Sequence, residues 1–300
     1  MQTLRLFIRL SRPLFLLGAA LVYALGVGIA HYLGATVDWG MYFLGQAWVT
    51  LLQLSAQYLN EYFDAPYDRE NPNRTPFTGG SNALGPGKLP RATALASAVA
   101  CLTVVASLTV LLIQRGLSAT TLFIMGLAFI GAILYSVPPV RLSSSGYGEL
   151  TTSILVANLV PAFAFLLQTG ELHRLLAMAT FPLTPLHISM MMAFELPDYA
   201  TDLKYEKRTL MVRMGWQRGM QLHNLLILSA YLLLAVALGL GLPLPIGLPT
   251  FLPFPLGVLQ IWQMRRIADG MRPNWTALTM TSIVLFAVTA YLIAFAFWTR

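Results

Sequence analysis

Nine long apolar stretches run through this chain, and they constrain its fold more than any other feature of the sequence. They lie near residues 13–34, 40–60, 92–113, 116–136, 149–169, 174–196, 220–240, 245–264 and 275–297. An α-helix rises about 1.5 Å per residue, so about 20 apolar residues cross the roughly 30 Å hydrocarbon core of a bilayer. The stretches therefore predict an all-α fold, a membrane bundle of about nine transmembrane helices.

The composition excludes other classes of protein. Hydrophobic residues make up 57% of the 300 residues and charged residues only 10%, whereas soluble domains are roughly 25% charged. Disorder is excluded because a disordered chain needs low hydrophobicity and a high charge density. The single cysteine, Cys101, excludes a disulfide framework and a cysteine-ligated metal cluster. The net charge of +7 fits membrane topology, so we expect the lipid bilayer as partner and no nucleic acid.

Lysine and arginine residues fall mainly on alternate connections between the predicted spans. With a cytoplasmic N-terminus, 16 of the 19 lie on the inner side, and three lie outside. The outer three are Arg115, Arg174 and Arg300. Because cytoplasmic loops are enriched in such residues, we expect a multi-pass protein of the cell membrane with its N-terminus in the cytoplasm. No soluble domain is recognisable, so residues 1–300 form one predicted domain.

Eight of the 12 acidic residues lie in two clusters, each at the cytoplasmic end of a predicted span. They are Glu61, Asp64, Asp68 and Glu70, then Glu195, Asp198, Asp202 and Glu206. Asn60, Asp64 and Asp68 follow one another at intervals of four residues, which places them on one face of a helix. Asp198 and Asp202 repeat that interval. The spacing predicts two helix faces that each present stacked carboxylates.

A divalent cation is the natural compensation for such stacked charges, because like charges on one helix face repel each other. Oxygen ligands favour Mg²⁺, Mn²⁺ or Ca²⁺ over zinc, and no histidine or cysteine lies near either cluster. Two other interpretations remain open at this stage. The clusters are also compatible with solvated loops, and with salt bridges to neighbouring arginine and lysine residues.

Basic residues flank both clusters and favour a phosphate-binding role. Arg74 precedes residues 75–81, a glycine-containing stretch able to present backbone N–H groups to an anion. Lys207 follows the second cluster, and Arg141 is the one basic residue between spans four and five. Carboxylates beside guanidinium and ammonium groups suit a diphosphate bridged by Mg²⁺. The ring of Tyr135 is either an interfacial aromatic or a π-face for an electron-poor carbon.

Together, these motifs and the nine spans resemble the UbiA superfamily of intramembrane prenyltransferases, over nearly the whole chain. The segments 60–64, 75–81 and 198–215 look most like the 1,4-dihydroxy-2-naphthoate branch of that superfamily. Two residues depart from the branch, which often has Asn and Gly where this chain has Glu195 and Glu206. Glu195 is closer to the acidic position seen in 4-hydroxybenzoate transferases.

The resemblance implies an active site near the cytoplasmic membrane face, where two Mg²⁺ ions bind the diphosphate of an isoprenyl donor. The leaving diphosphate would generate an allylic carbocation that an aromatic acceptor attacks, such as 1,4-dihydroxy-2-naphthoate or another quinone precursor. By the same resemblance the metal ligands are Asp64, Asp68, Asp198 and Asp202, with Asn60 and Glu195 as further ligands or supporting groups. The implied diphosphate-binding residues are Asn60, Arg74, Arg141 and Lys207. Tyr135 would lie near the cation or the acceptor.

Other functions fit the sequence less well. Within the same chemistry, the acceptor is alternatively 4-hydroxybenzoate, glyceryl phosphate or another lipid precursor. A cation-dependent transporter also carries intramembrane carboxylates, but a transporter places some near the midplane, and here they lie at one membrane face. A CDP-alcohol phosphotransferase concentrates its aspartates in one contiguous motif, which this sequence lacks.

Overall fold

The computed structural model describes residues 2–68 and 70–300, except for the side chain of Tyr67. Its regular secondary structure in this part of the chain is helical. The α-helices are α1 (Gln2–Leu10), α2 (Pro13–Tyr32), α3 (Trp39–Asp68), α4 (Arg91–Gln114), α5 (Ala119–Ser136), α6 (Gly148–Ile154), α7 (Val160–Thr169), α8 (Arg174–Thr180), α9 (Leu183–Lys204), α10 (Leu210–Met214), α11 (Trp216–Gly239), α12 (Leu244–Gly247), α13 (Phe254–Ala268) and α14 (Trp275–Trp298). Two 3₁₀ helices (Leu142–Ser144 and Leu248–Phe251) and one π-helix (Leu155–Leu159) complete the set.

Eight helical segments among the described residues are long and apolar enough to cross a membrane. They are α2, α4, α5, α6 with α7, α8 with α9, α11, α12 with α13, and α14. The all-α, multi-span prediction is therefore confirmed, and eight of the nine predicted stretches coincide with these segments. The remaining stretch, 40–60, lies in the 30-residue α3, whose apolar sequence is interrupted by Gln46, Gln53 and Gln57. The count of nine and the cytoplasmic N-terminus stay predictions.

The fifth and sixth predicted spans are each interrupted. The fifth consists of α6 and α7 joined through the π-helix, and the sixth bends between α8 and α9 at Phe181 and Pro182. Asn158 in the π-helix donates a hydrogen bond from its side-chain amide to Thr184 Oγ1 at 2.7 Å. A break within a span is tolerated where neighbouring helices satisfy the freed polar groups. This pair of broken helices carries the second aspartate motif at its end.

Close helix contacts hold the centre of the bundle together. At Gly26 of α2 an added Cβ would lie 2.1 Å from the Pro161 carbonyl oxygen of α7, so the two backbones meet directly and only glycine fits. Helix α14 packs on α2 and α9 and buries Phe286 and Phe297 in the same apolar cluster. Leucines on the outer surface of α2, such as Leu14 and Leu17, are mostly exposed. An apolar exterior of this kind suits a lipid environment.

Helix α1 is too short to span a bilayer, because nine residues extend only about 14 Å. Leu10 is fully buried against α3, and Ser11 Oγ lies 2.6 Å from the Tyr58 hydroxyl of that helix. The chain turns sharply into α2 at Arg12, which has a left-handed backbone (φ 41°). This turn brings the Arg12 side chain to the same end of the bundle as the aspartate motifs.

Three connections meet at that end of the bundle. Residues 70–81 reach α9 through a hydrogen bond from the Asn71 side-chain amide to Asp198 Oδ1 (2.5 Å). The α5–α6 connection contacts α3 through Arg141, and it accepts a hydrogen bond at Ser144 O from the Arg208 backbone (3.2 Å). Helices α3 and α9 thus present their polar ends to one shared cavity.

Candidate active site

A cavity of about 120 Å³ lies where these helices and connections meet. Most of its wall is polar or charged, in contrast to the apolar bundle around it. Its lining side chains include Arg12, Asn60, Asp64, Asp68, Tyr135, Ser143, Glu149, Glu195, Asp198, Asp202, Lys207 and Thr209. The two aspartate motifs, which lie about 130 residues apart in sequence, therefore face the same space. Eight of the ten predicted site residues line it, and Arg74 and Arg141 lie outside the lining.

Asp64 is the most highly connected carboxylate of the site. It is only 3% exposed, and Arg141 Nη2 donates to its Oδ1 at 3.0 Å. Lys207 Nζ and Asn60 Nδ2 both donate to its Oδ2, at 3.2 and 3.1 Å. The contact between Asn60 and Asp64 follows from their spacing of one helical turn. Three separate segments of the chain thus fix one carboxylate.

Lys207 joins the two motifs. Its ammonium group lies 3.2 Å from Asp64 Oδ2 on α3 and 3.9 Å from Asp202 Oδ1 on α9. Burial lowers the pKa of Lys207, but the Asp64 and Asp202 carboxylates outweigh burial and raise the pKa well above its ordinary value. The side chain therefore stays protonated at neutral pH. A fixed positive charge between two carboxylate motifs is suited to holding an anionic group there.

Residues 71–81 cover Asp68 and Asp198. Asp198 accepts the hydrogen bond from Asn71 at Oδ1 and one from the Gly79 backbone N–H at Oδ2 (3.2 Å). Gly79 and Gly80 both have left-handed backbones (φ 73° and 72°), a conformation that glycine adopts without steric penalty. At Gly80 a Cβ would lie 2.1 Å from Asp68 Oδ2. The glycine pair lets the backbone lie directly on the carboxylates.

An ion pair that the sequence did not indicate supports this loop. Arg12 pairs with Glu61 of α3, and Glu61 accepts hydrogen bonds from the Ser81 backbone N–H and hydroxyl, both at 2.7 Å. Arg12 looked like one of many topology-setting arginines, and Glu61 like one more acid in its cluster. Only the folded chain reveals that they hold the end of the 71–81 segment. Asn71 was missed for the same reason.

A second carboxylate pair lies in the cavity wall. Glu149 Oε1 accepts the Leu210 backbone N–H at 2.8 Å, and Glu195 Oε2 accepts the Met211 backbone N–H at 3.1 Å. The two carboxyl groups also lie within hydrogen-bonding reach of each other. They hold the first turn of α10, the helix that follows Lys207. Glu195 thus lines the cavity, and it also accepts a backbone hydrogen bond from α10. The sequence analysis assigns no role to Glu149.

The other predicted residues occupy different positions around the site. Arg74 lies behind the first motif, where its guanidinium donates to the Asp68 backbone carbonyl and lines a separate small crevice. Arg141 contacts the first motif through Asp64. Tyr135, on the last turn of α5, lines the main cavity. The geometry therefore brings Arg141, Lys207 and Tyr135 to the aspartates. Arg74 lies behind the first motif and outside the lining of the main cavity.

The donor set fits a hard cation, although the protein alone does not form a closed cage. Within the described residues, no group of three or more acidic, histidine or cysteine side chains is close enough to hold one ion. The cavity nevertheless gathers two carboxylates from each motif, all of them oxygen donors. Mg²⁺ is usually held by one or two carboxylates together with substrate phosphates and water. The site fits metal ions whose coordination a phosphate-bearing ligand completes.

Replacing Lys207 by methionine tests the link between the motifs. Without a metal ion, this substitution is expected to lower the free energy of unfolding by about 3 kcal/mol, because it leaves buried carboxylates unpaired. Denaturant titration of the protein in detergent measures the effect. The matched control is Lys204→Met, since Lys204 pairs with Glu70 at the surface, where solvent screens the pair and its loss should change the stability much less. Equal losses in both variants would contradict the role of Lys207.

Comparison with known proteins gives a consistent set of likenesses. Residues 19–283 match the UbiA prenyltransferase family. Over 269 residues the chain is 28% identical to 1,4-dihydroxy-2-naphthoate octaprenyltransferase of Mycobacterium leprae (strain TN), covering 88% of this chain and 87% of that protein. The fold is similar to that of a UbiA homologue from Archaeoglobus fulgidus bound to GPP and Mg²⁺, with a TM-score of 0.66, 16% identity, and coverage of 96% and 99% of the two chains. A structure from a study of digeranylgeranylglyceryl phosphate synthase has a TM-score of 0.68 at 15% identity over 100% of both chains.

Proposed function

The chain belongs to the UbiA prenyltransferase family and is a multi-pass membrane prenyltransferase, and we propose that it transfers an isoprenyl chain from a prenyl diphosphate to an aromatic quinone precursor. The proposed acceptor is 1,4-dihydroxy-2-naphthoate or a close relative of it. The likeness to the naphthoate octaprenyltransferase of M. leprae supports that acceptor. The likeness to a homologue bound to GPP and Mg²⁺ supports the donor and the metal.

The observation that carries the proposal is the meeting of the two aspartate motifs around Lys207. Asp64 and Asp202 approach the same ammonium group from α3 and α9. A diphosphate carries several negative charges, so a site that holds it needs cations between these carboxylates. We assign Asp64, Asp68, Asp198 and Asp202 to two Mg²⁺ ions. Asn60 supports Asp64 directly, as its hydrogen bond indicates.

The roles of the other residues follow from their contacts. When bound, Mg²⁺ supplies Lewis-acid stabilisation of the charge on the leaving diphosphate. Lys207 and Arg141 both reach Asp64, so both cations lie where they can also donate to phosphate oxygens. Backbone N–H groups of the 71–81 segment add further donors near Asp198. Glu195, whose backbone bond is to α10, is assigned to the cavity wall rather than to the metal.

In the proposed reaction, the C–O bond of the donor breaks and its electron pair leaves with the diphosphate. The allylic carbocation that remains lies near the Tyr135 ring, whose π-face stabilises positive charge. A ring carbon of the acceptor then forms the new C–C bond, and that carbon loses its proton, or its carboxylate as CO2, to restore aromaticity. The protein must keep water from the cation, which an enclosed cavity among apolar helices achieves.

The distribution of basic residues indicates on which side of the membrane the active site lies. The motif end of the bundle carries most of the lysine and arginine residues, so we place the active site on the cytoplasmic side of the cell membrane. One domain, residues 1–300, contributes every group of the site.

A transfer assay tests the function. Purified protein is incubated with geranylgeranyl diphosphate, Mg²⁺ and, separately, dihydroxynaphthoate, hydroxybenzoate or glyceryl phosphate, and products are identified by mass spectrometry. We expect prenylated naphthoate product, its loss with EDTA, and its recovery with excess Mg²⁺. A product with only one of the other acceptors would replace the proposed substrate. If no acceptor led to consumption of the donor, the transfer function itself would be refuted.

A further inference from the structure

Two buried polar atoms of the cavity wall are left without a hydrogen-bond donor or acceptor among the described residues, and neither belongs to an aspartate motif. They are Ser143 Oγ and Glu149 Oε2. Ser143 is 5% exposed and Glu149 is 2% exposed, and both residues line the cavity. Leaving a buried polar group unsatisfied costs about 1–3 kcal/mol, so such a pair at one site calls for an explanation.

The fold brings together the segments that carry these two residues, and both residues line the same cavity. Ser143 lies in the 3₁₀ helix of the α5–α6 connection, and Glu149 is the second residue of α6. Between them, Gly148 packs so closely that a Cβ there would lie 2.9 Å from the Ser143 Cα. The connection is therefore folded onto the start of α6.

The orientation of Glu149 is also fixed. Its Oε1 accepts the Leu210 backbone N–H at 2.8 Å, so the second oxygen is held in position instead of rotating freely. The carboxyl group of Glu195 lies beside it. The wall thus presents the Ser143 hydroxyl and one carboxylate oxygen, Glu149 Oε2, that lack a partner among the described residues.

A hydroxyl group is the chemical partner that this arrangement fits, because a hydroxyl both donates and accepts a hydrogen bond. We propose that Ser143 and Glu149 form a subsite for a phenolic hydroxyl group of the acceptor. The acceptor O–H donates to Glu149, and Ser143 donates to the acceptor oxygen. This inference rests on the proposed function, and it adds the groups that select the acceptor.

The same chemistry argues against other occupants. A carboxylate or phosphate group would face the Glu149 carboxylate and would be repelled. An apolar group would leave the serine and the glutamate unsatisfied. The subsite therefore orients a dihydroxy aromatic ring by its hydroxyl edge and leaves any carboxylate to point elsewhere in the cavity.

Equilibrium binding of the acceptor is the direct test, because it needs no turnover. Calorimetry with 1,4-dihydroxy-2-naphthoate and protein in detergent is expected to give an affinity about 3- to 10-fold weaker for Ser143→Ala, the effect of one neutral hydrogen bond. The matched control is Ser136→Ala. Ser136 Oγ is equally buried and also lacks a partner among the described residues, but Ser136 does not line the cavity. Equal affinities for the two variants would overturn the proposal.

Glu149→Gln changes only the side chain that is proposed to accept the hydrogen bond from the acceptor hydroxyl. The glutamine oxygen can still accept the Leu210 N–H, so the fold of the α10 turn is retained, while an amide donor replaces the second carboxylate oxygen. Acceptor affinity is expected to fall about 10- to 100-fold, as for a hydrogen bond to a charged group. The KM of the prenyl diphosphate is expected to stay within about twofold. A rise in the donor KM without a change in acceptor affinity would overturn the assignment.

Acceptors that lack one hydroxyl complete the test. Binding of 1-hydroxy-2-naphthoate and of 4-hydroxy-2-naphthoate is compared in wild type and in Ser143→Ala. For the analogue that lacks the bound hydroxyl, the serine substitution should have no further effect. A penalty that persists with both analogues would refute the subsite, even where wild-type protein transfers the chain normally. Absence of transfer by the wild type is a separate result, which would refute the proposed function instead.

Discussion

Asp64→Asn is expected to lower kcat/KM of prenyl transfer by about 1,000-fold or more while the protein remains folded. Asn keeps the size of the side chain and removes its charge. The expected loss corresponds to the several kcal/mol by which a positioned metal ion stabilises developing charge. Kinetics at saturating Mg²⁺, together with size-exclusion chromatography and thermal unfolding, measure both parts of this expectation.

The reason lies in the number of groups that Asp64 organises. Arg141, Lys207 and Asn60 all donate to it, so loss of its charge weakens the proposed metal site and the phosphate donors together. Because Lys207 retains a second acid, Asp202, at 3.9 Å, the folded state should survive.

Asp269→Asn is the matched control for this experiment. Asp269 is an exposed acid at the end of α13 and does not line the cavity, so the same change of charge there should alter kcat/KM by less than about twofold, as for most surface substitutions. Full activity in Asp64→Asn would remove Asp64 from the reaction. A similar loss in both variants would point to a general effect of net charge.

Gly80→Ala is expected to reduce transfer by about 100-fold or more, the scale on which a 1 Å displacement of a catalytic group acts. A Cβ at Gly80 would approach Asp68 at three atoms, with its Oδ2, Cγ and Cβ at 2.1, 2.7 and 2.9 Å. Rotation of the carboxylate alone does not relieve these contacts, so Asp68 or the glycine loop must move. Steady-state kinetics and Mg²⁺ titration are the measurements.

Gly87→Ala separates this contact from backbone strain. Gly87 has nearly the same positive φ as Gly80 (70° and 72°), but a Cβ at Gly87 meets no atom within 4 Å. Both variants carry the left-handed penalty of roughly 1–2 kcal/mol, and only Gly80→Ala disturbs Asp68. We expect near-normal activity in Gly87→Ala. Equal activities in the two variants would show that the position of Asp68 does not matter for transfer.

Local regularities explain how far the sequence predicts the architecture. The predicted stretch 13–34 is observed as Pro13–Tyr32, and 275–297 as Trp275–Trp298. Hydrophobic length alone decides such helices, because the bilayer sets a minimum apolar length. The interval of four residues likewise predicts the contact between Asn60 and Asp64. The π-helix at Leu155–Leu159 has no such local signal, because the packing of neighbouring helices decides it.

The same distinction between local pattern and tertiary packing applies to the active site. The sequence by itself determined that this chain is a helical membrane protein and that two aspartate motifs end two of its long helices, since helical spacing and hydrophobic length are local properties. Only the tertiary structure decided that Lys207 lies between the motifs, that Arg12 pairs with Glu61, and that Asn71 holds Asp198. Those contacts join residues 49 to 143 positions apart. Such partners are selected by the packing of whole helices, and no periodicity in the sequence records that packing.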